Sequence, residues 1–131
     1  MRINHGREAG TSSELRSATF TGEVWADAVL EGVADVMIND VFFGPQGRTH
    51  WHTHERGQIL LVLAGRGWVR RRDGEGGPIG AGDVVWIEPD EEHWHGADDD
   101  SYLLHRAISL GTTAWLDPVT DDDYGRKVGG G

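Results

Sequence analysis

His50-Trp51-His52-Thr53-His54-Glu55-Arg56-Gly57-Gln58 is the stretch on which the reading of this chain turns. Three histidines alternate with other residues, and a glutamine follows. In an extended strand every second side chain points the same way, so His50, His52 and His54 are expected on one face. Imidazoles gathered on one side suit a borderline divalent metal, because neutral ring nitrogens ligate zinc, iron, copper and nickel. One strand cannot complete a coordination sphere. A second histidine-rich stretch, His93-Trp94-His95, is the natural source of a further ligand.

Working outward, the flanking sequence reads as β structure. Strands are expected over 20–25, 34–43 (closed by Gly44-Pro45-Gln46-Gly47), 49–53, 58–63, 83–87, 93–95 and 102–110. The run 58–63 ends at Ala64-Gly65-Arg66-Gly67, and 68–72 is expected to return beside it as a hairpin partner across that glycine turn. Many short strands with closely spaced turn signals predict an all-β sandwich or barrel. Residues 1–18 are polar and without periodicity, which predicts a flexible amino-terminal arm. One domain over 19–125 follows, and 126–131, ending in three glycines, is expected to be a disordered tail. Only 112–124 has a helical look, and Pro118 interrupts it.

Composition narrows the function classes. At 131 residues the chain is one domain by length, large enough for a proper core. There is no cysteine, so disulfides, thiolate ligands and cysteine nucleophiles are excluded. With 12 basic and 22 acidic residues the formal net charge is −10, which argues against a nucleic-acid partner. No apolar run approaches bilayer length and the amino terminus lacks a signal-peptide core, so no membrane partner and a cytoplasmic location are expected. The basic run Arg70-Arg71-Arg72 and the acidic runs at 98–100 and 121–123 read as solvated loops. No Gly-x-Ser-x-Gly turn is present, so a serine hydrolase of that type is a poor fit.

With the strands placed, the chain resembles a small single-domain cupin, a family with a jelly-roll (double-stranded β-helix) barrel. The family's first motif has two histidines one residue apart, an acidic or amide ligand, and a closing glycine. Laid on His52 and His54, the motif puts its third ligand on Gln58 and its glycine on Gly65. The second motif opens at Gly82-Asp83-Val84-Val85-Trp86 and puts its ligand on His93; Glu88 stands where proline is usual and Asp90 where glycine is usual. Trp51–His54, Gly65-Arg66-Gly67-Trp68-Val69, 93–97, Phe20-Thr21-Gly22 and Trp115-Leu116-Asp117-Pro118 are similar to small manganese cupins, including cupin-type hydroxynitrile lyases.

The resemblance implies His52, His54, Gln58 and His93 as metal ligands, and a divalent transition metal, manganese first, with iron, nickel, cobalt and zinc as alternatives. It also implies a homodimer and a small-molecule substrate. His105 matches a further histidine on a late strand and is the candidate proton carrier, while His95 beside His93 and Arg48, with the parity of the ligands, are further candidate catalytic residues. His50 is expected behind or outside the site. Val36, Ile38, Val41 and Phe43 are expected to line or close the barrel, with Trp68, Trp86 and Trp94 as barrel packing. Glutamine in place of glutamate leaves the ligand shell neutral, which should strengthen the ion as a Lewis acid. The leading expectation is an enzyme, a metal-dependent lyase cleaving a carbon–carbon bond as in a cyanohydrin. The alternatives are an iron or manganese dioxygenase, separable by oxygen consumption, and a non-catalytic ligand-binding module, separable by tight binding without turnover.

Overall fold

A computed structural model describes residues 1–128. Its strands are β1 (Glu14–Leu15), β2 (Phe20–Thr21), β3 (Val24–Val33), β4 (Val36–Phe43), β5 (Arg48–Thr49), β6 (His52–His54), β7 (Gln58–Arg71), β8 (Gly76–Gly80), β9 (Val84–Ile87), β10 (His93–Ala97), β11 (Leu103–Leu110) and β12 (Thr113–Trp115), followed by a short helix α1 (Asp121–Gly125). The strands form one curled antiparallel sheet in the order β1-β3-β4-β11-β7-β10-β5-β2, with β6, β8, β9 and β12 attached to its flanks. The expected all-β barrel is what forms. Among the described residues no helix is long and apolar enough to cross a membrane.

The expected hairpin at Gly65 does not form. β7 instead runs unbroken over 14 residues and belongs to both walls. Its first half pairs with β11 and β9, its second half with β10 and β8. The glycines mark close backbone approach. A Cβ on Gly65, which has φ 80°, would lie 2.0 Å from the Tyr102 carbonyl oxygen, and one on Gly67 would lie 2.1 Å from that of Gly96. The partner of the second half of β7 is β8, reached through the turn at 72–75.

Inward residues of both walls make the core: Val24, Val41, Phe43, Val62, Ile79, Ala97 and Leu103 pack as one cluster, and Leu60, Ile87 and Ala107 as a second beside it. Along β4 the inward parity is odd, so Val41 and Phe43 face inward as expected. Val36 and Ile38 do not; Met37 and Asn39 take that face. Trp94 is buried and Trp68 packs beside it, but Trp86 lies 49% exposed on the outer face of β9.

The termini are tied to the barrel. Within 1–18, Glu14 and Leu15 pair with Ala26 and Trp25, and the Glu8 amide donates to the Ala28 carbonyl. At the other end Thr120 caps α1, its hydroxyl accepting from the Asp123 amide. Tyr124 of α1 is buried and donates to the Ala97 carbonyl at 2.7 Å. Arg48 and Lys127 both sit over the Tyr124 ring, 4.5 Å and 3.7 Å from its centroid. Of the tail expected over 126–131, Lys127 is buried and bonded to Asp99 at 2.8 Å; residues 129–131 lie outside the described residues.

Candidate metal centre

The barrel encloses a cavity of about 520 Å³. Phe20, Met37, Val41, Phe43, Ala107 and Trp115 give it apolar walls, and His52, His54, Gln58, His95 and His105 give it a polar end. Strand register explains why these meet. His52 on β6 is the cross-strand partner of His93 on β10, so their rings stand 4.2 Å apart. Gln58 at the head of β7 is opposite Ser109 on β11. Thr113 and Trp115 on β12 are opposite His54 and His52.

Each of the expected ligands is aimed by a second group. His52 Nδ1 donates to the His50 carbonyl and His93 Nδ1 to the Glu91 carbonyl, both at 2.8 Å. A carbonyl only accepts, so each Nδ1 carries the hydrogen and each Nε2 presents a lone pair. His54 Nδ1 lies 3.0 Å from the Thr113 hydroxyl, and its buried Nε2 has no partner. Gln58 Nε2 donates to the Ser109 hydroxyl at 3.1 Å, which turns its carbonyl oxygen toward His93 Nε2 at 3.3 Å. Two acceptors thus face each other with no hydrogen between them. That arrangement repels unless a cation shares the space, and so the donor set fits a divalent ion.

The tightest cluster of ring nitrogens is His52, His93 and His95, whose ligand atoms all lie within 4.8 Å of one another and can hold a metal. His52 and His93 are common to this group and to the sequence-based set. His54 is outside that group, although its ring, 4.9 Å from His52 and 5.5 Å from His93, is as near to them as the ring of His95, at 5.2 Å and 5.6 Å. His95 was expected beside the ligands, and the structure brings it among them.

Burial keeps every one of these imidazoles neutral. It pushes His54 down from 6.5 to about 3, and His93 and His105 to about 4. Burial likewise holds His52 and His95 well below the ordinary value, and neighbouring histidines add to the effect at His52, His54 and His95. Neutral imidazole is the form that ligates metal and accepts protons. His95 Nδ1 and His105 Nε2 are 2.9 Å apart, so exactly one of them carries the shared hydrogen. If it is on His95 Nδ1, the partnerless His95 Nε2 presents a lone pair to the cavity; if on His105 Nε2, the lone pair moves to the equally partnerless His105 Nδ1. The pair therefore has two tautomeric arrangements that differ in which ring presents its lone pair.

Arg48 does not reach the cavity. β5 ends at Thr49 and β6 begins at His52, and the two intervening residues break the alternation. Thr49 and His52 line the cavity, whereas Arg48 and Trp51 face the carboxyl-terminal segment. Arg48 donates to the Val119 carbonyl at 2.9 Å and to Asp121 at 2.9 Å, which gives it a fastening role. His50 is half-buried and contributes only its carbonyl to His52. Residues the sequence reading missed are Ser109, Thr113 and Trp115, which aim or cover ligands, and Arg16. Register could have found the first; β12, three residues long, gave no pattern to read.

Comparison with known proteins agrees with this geometry. The family described as "Cupin domain" matches residues 39–105. A protein of Granulicella tundricola named (R)-mandelonitrile lyase is 42% identical over 113 residues, covering 82% of this chain and 86% of that protein. Among solved structures, a cupin-like protein of Thermotoga maritima is 39% identical with a TM-score of 0.83, covering 92% of this chain and 96% of that one. A predicted oxalate decarboxylase of the same organism shares the fold at 23% identity and a TM-score of 0.70, covering 85% of this chain and 100% of that one.

Proposed function

The chain belongs to the cupin family, and from that premise we propose that it is a metal-dependent lyase that cleaves a carbon–carbon bond in a small hydroxylated substrate such as a cyanohydrin. The observation that carries the metal is the pair of facing acceptors, His93 Nε2 and Gln58 Oε1, beside the partnerless His54 Nε2. The relative named for mandelonitrile cleavage supports the reaction class. His52, His54, Gln58 and His93 would hold a divalent ion, manganese in this reading, which would supply Lewis acidity toward the substrate hydroxyl.

The remaining work falls to the chain. The apolar walls hold the hydrocarbon part and exclude water. His95 Nε2 accepts the hydroxyl proton while His95 Nδ1 passes its own to His105 Nε2. The carbon–carbon bond breaks with its electron pair leaving on cyanide, and the C=O bond of an aldehyde or ketone forms. The proton returns along the same couple to cyanide, so substrate becomes carbonyl compound plus hydrogen cyanide with no oxidant consumed.

The test is cyanide release from racemic mandelonitrile under nitrogen, with manganese-loaded protein and His52→Ala and His105→Gln controls. Release that needs the metal and not oxygen supports the reading. No release above the controls sinks it, and oxygen uptake on turnover in its place would mark an oxygen-dependent enzyme.

A further inference from the structure

The cavity is free of acid in a chain rich in it. Of 22 aspartate and glutamate residues none is among the described residues lining the cavity, and the one side chain there that carries full charge at neutral pH is Arg16. Arg16 arrives on the amino-terminal arm. Leu15 pairs with Trp25, and the Arg16 amide donates to the Val24 carbonyl at 2.8 Å, which fixes its backbone against the edge of β3. Its side chain is part of the cavity wall and yet 39% exposed, so it stands at the opening. Among the described residues its one ion-pair partner, Glu14, is 3.6 Å away and 68% exposed. An exposed pair at that distance is weak and yields to a better acceptor. A guanidinium offers a planar fork of donors that fits a carboxylate with two parallel hydrogen bonds.

We propose that the cavity takes an anionic substrate: a small carboxylate held by Arg16 at the opening, with an apolar spacer along the walls and a hydroxyl or carbonyl group at the histidine end. Phe20, Met37 and Val41 give the spacer its apolar surroundings. The net charge of −10 does not oppose this. At physiological salt, charges more than about 8 Å away are largely screened, so the acid-free wall and Arg16 decide the local field. The position of the hydroxyl end rests on the reading of the histidine cluster given above; recognition of the anion needs only Arg16 and the wall.

The experiment is calorimetric titration of the full chain with 4-formylbenzoate and with 4-formylbenzamide, two probes that differ essentially in charge. Wild type should bind the carboxylate roughly tenfold more tightly, equivalent to about 1.4 kcal/mol. Arg16→Gln should bring that ratio near unity and leave the amide unchanged, and Arg16→Lys should keep part of it, since lysine is a charge without the fork. Because the preference belongs to Arg16, it should persist after treatment with EDTA. A ratio near unity in wild type overturns the proposal. So does a ratio that Arg16→Gln leaves intact, or one that vanishes with EDTA. Cyanide release is a separate readout: if mandelonitrile is not cleaved but the ratio holds, the reaction is wrong and the ligand class stands. Cleavage with a flat ratio removes the ligand class alone.

Discussion

Lowering the pH of the metal-free protein from 7 to 5 should lower its stability by several kcal/mol, and the direction of the loss follows from the buried histidines. Consider His105, whose folded pKa is about 4 against 6.5 in the unfolded chain. Below 6.5 the unfolded chain takes up a proton that the folded protein refuses, so stability rises with pH and falls as acid is added. The loss begins as pH drops through 6.5 and levels off near 4. At pH 5 it amounts to about 2 kcal/mol for this one residue. His93, also at about 4, contributes a similar amount, and His54, at about 3, slightly more, its loss continuing to lower pH. Together the three come to about 6 kcal/mol, an upper figure because the first protonation lets water in, against a typical total of roughly 5–15 kcal/mol. His52 and His95 are shifted in the same direction. Urea unfolding at pH 7, 6 and 5 in EDTA measures the loss, and His54→Gln and His105→Gln should each remove part of it. Equal midpoints at pH 7 and pH 5, or a loss that neither variant reduces, would refute the reasoning.

Four further outcomes are expected. Ser109→Ala frees the Gln58 amide to turn, so manganese affinity should fall about three- to tenfold in competition with a fluorescent chelator; unchanged affinity would mean that the amide is held some other way. Thr113→Val removes the group at His54 Nδ1 and should weaken metal binding by roughly 10–100-fold in the same assay. Gly96→Ala would put a Cβ 2.5 Å from the Gly47 carbonyl oxygen and 2.6 Å from the Arg48 Cβ, and should destabilise the fold by about 3 kcal/mol or more; an unshifted thermal midpoint would count against the packing of β5 on β10. Tyr124→Phe loses the hydrogen bond to Ala97 but keeps the ring under Arg48 and Lys127, so about 1 kcal/mol should disappear from the urea midpoint, and a far larger loss would contradict that division.

The histidine-rich segments were legible because ligand chemistry and strand parity act over three to five residues, where sequence is a direct image of structure. Parity put His52 and His54 on one face, likeness to the family's two motifs supplied Gln58 and His93, and the structure brings the four together. Arg48 was misplaced by the same rule carried too far: two residues without strand geometry reset the parity, and nothing in their identity announces it. Gly65 and Gly67 were read as a turn because glycine permits one. What they satisfy is the approach of Tyr102 and Gly96, residues about 30–40 positions away that only the closed barrel brings near. Asp90 makes the opposite point. It adopts φ 60°, a conformation usual for glycine, at the position where its relatives' motif has glycine, so the backbone shape survives the change of residue.

Because β7 is common to both walls, it also sets the spacing of the His95–His105 pair. Val69 of β7 is the register partner of His95, and Val62 that of His105. One covalent backbone, with Gly65 between the two partners, therefore acts as the gauge that holds the two ring nitrogens 2.9 Å apart. A substitution at Gly65, which lies between those two register partners, would therefore act on the His95–His105 spacing from a position that touches neither ring.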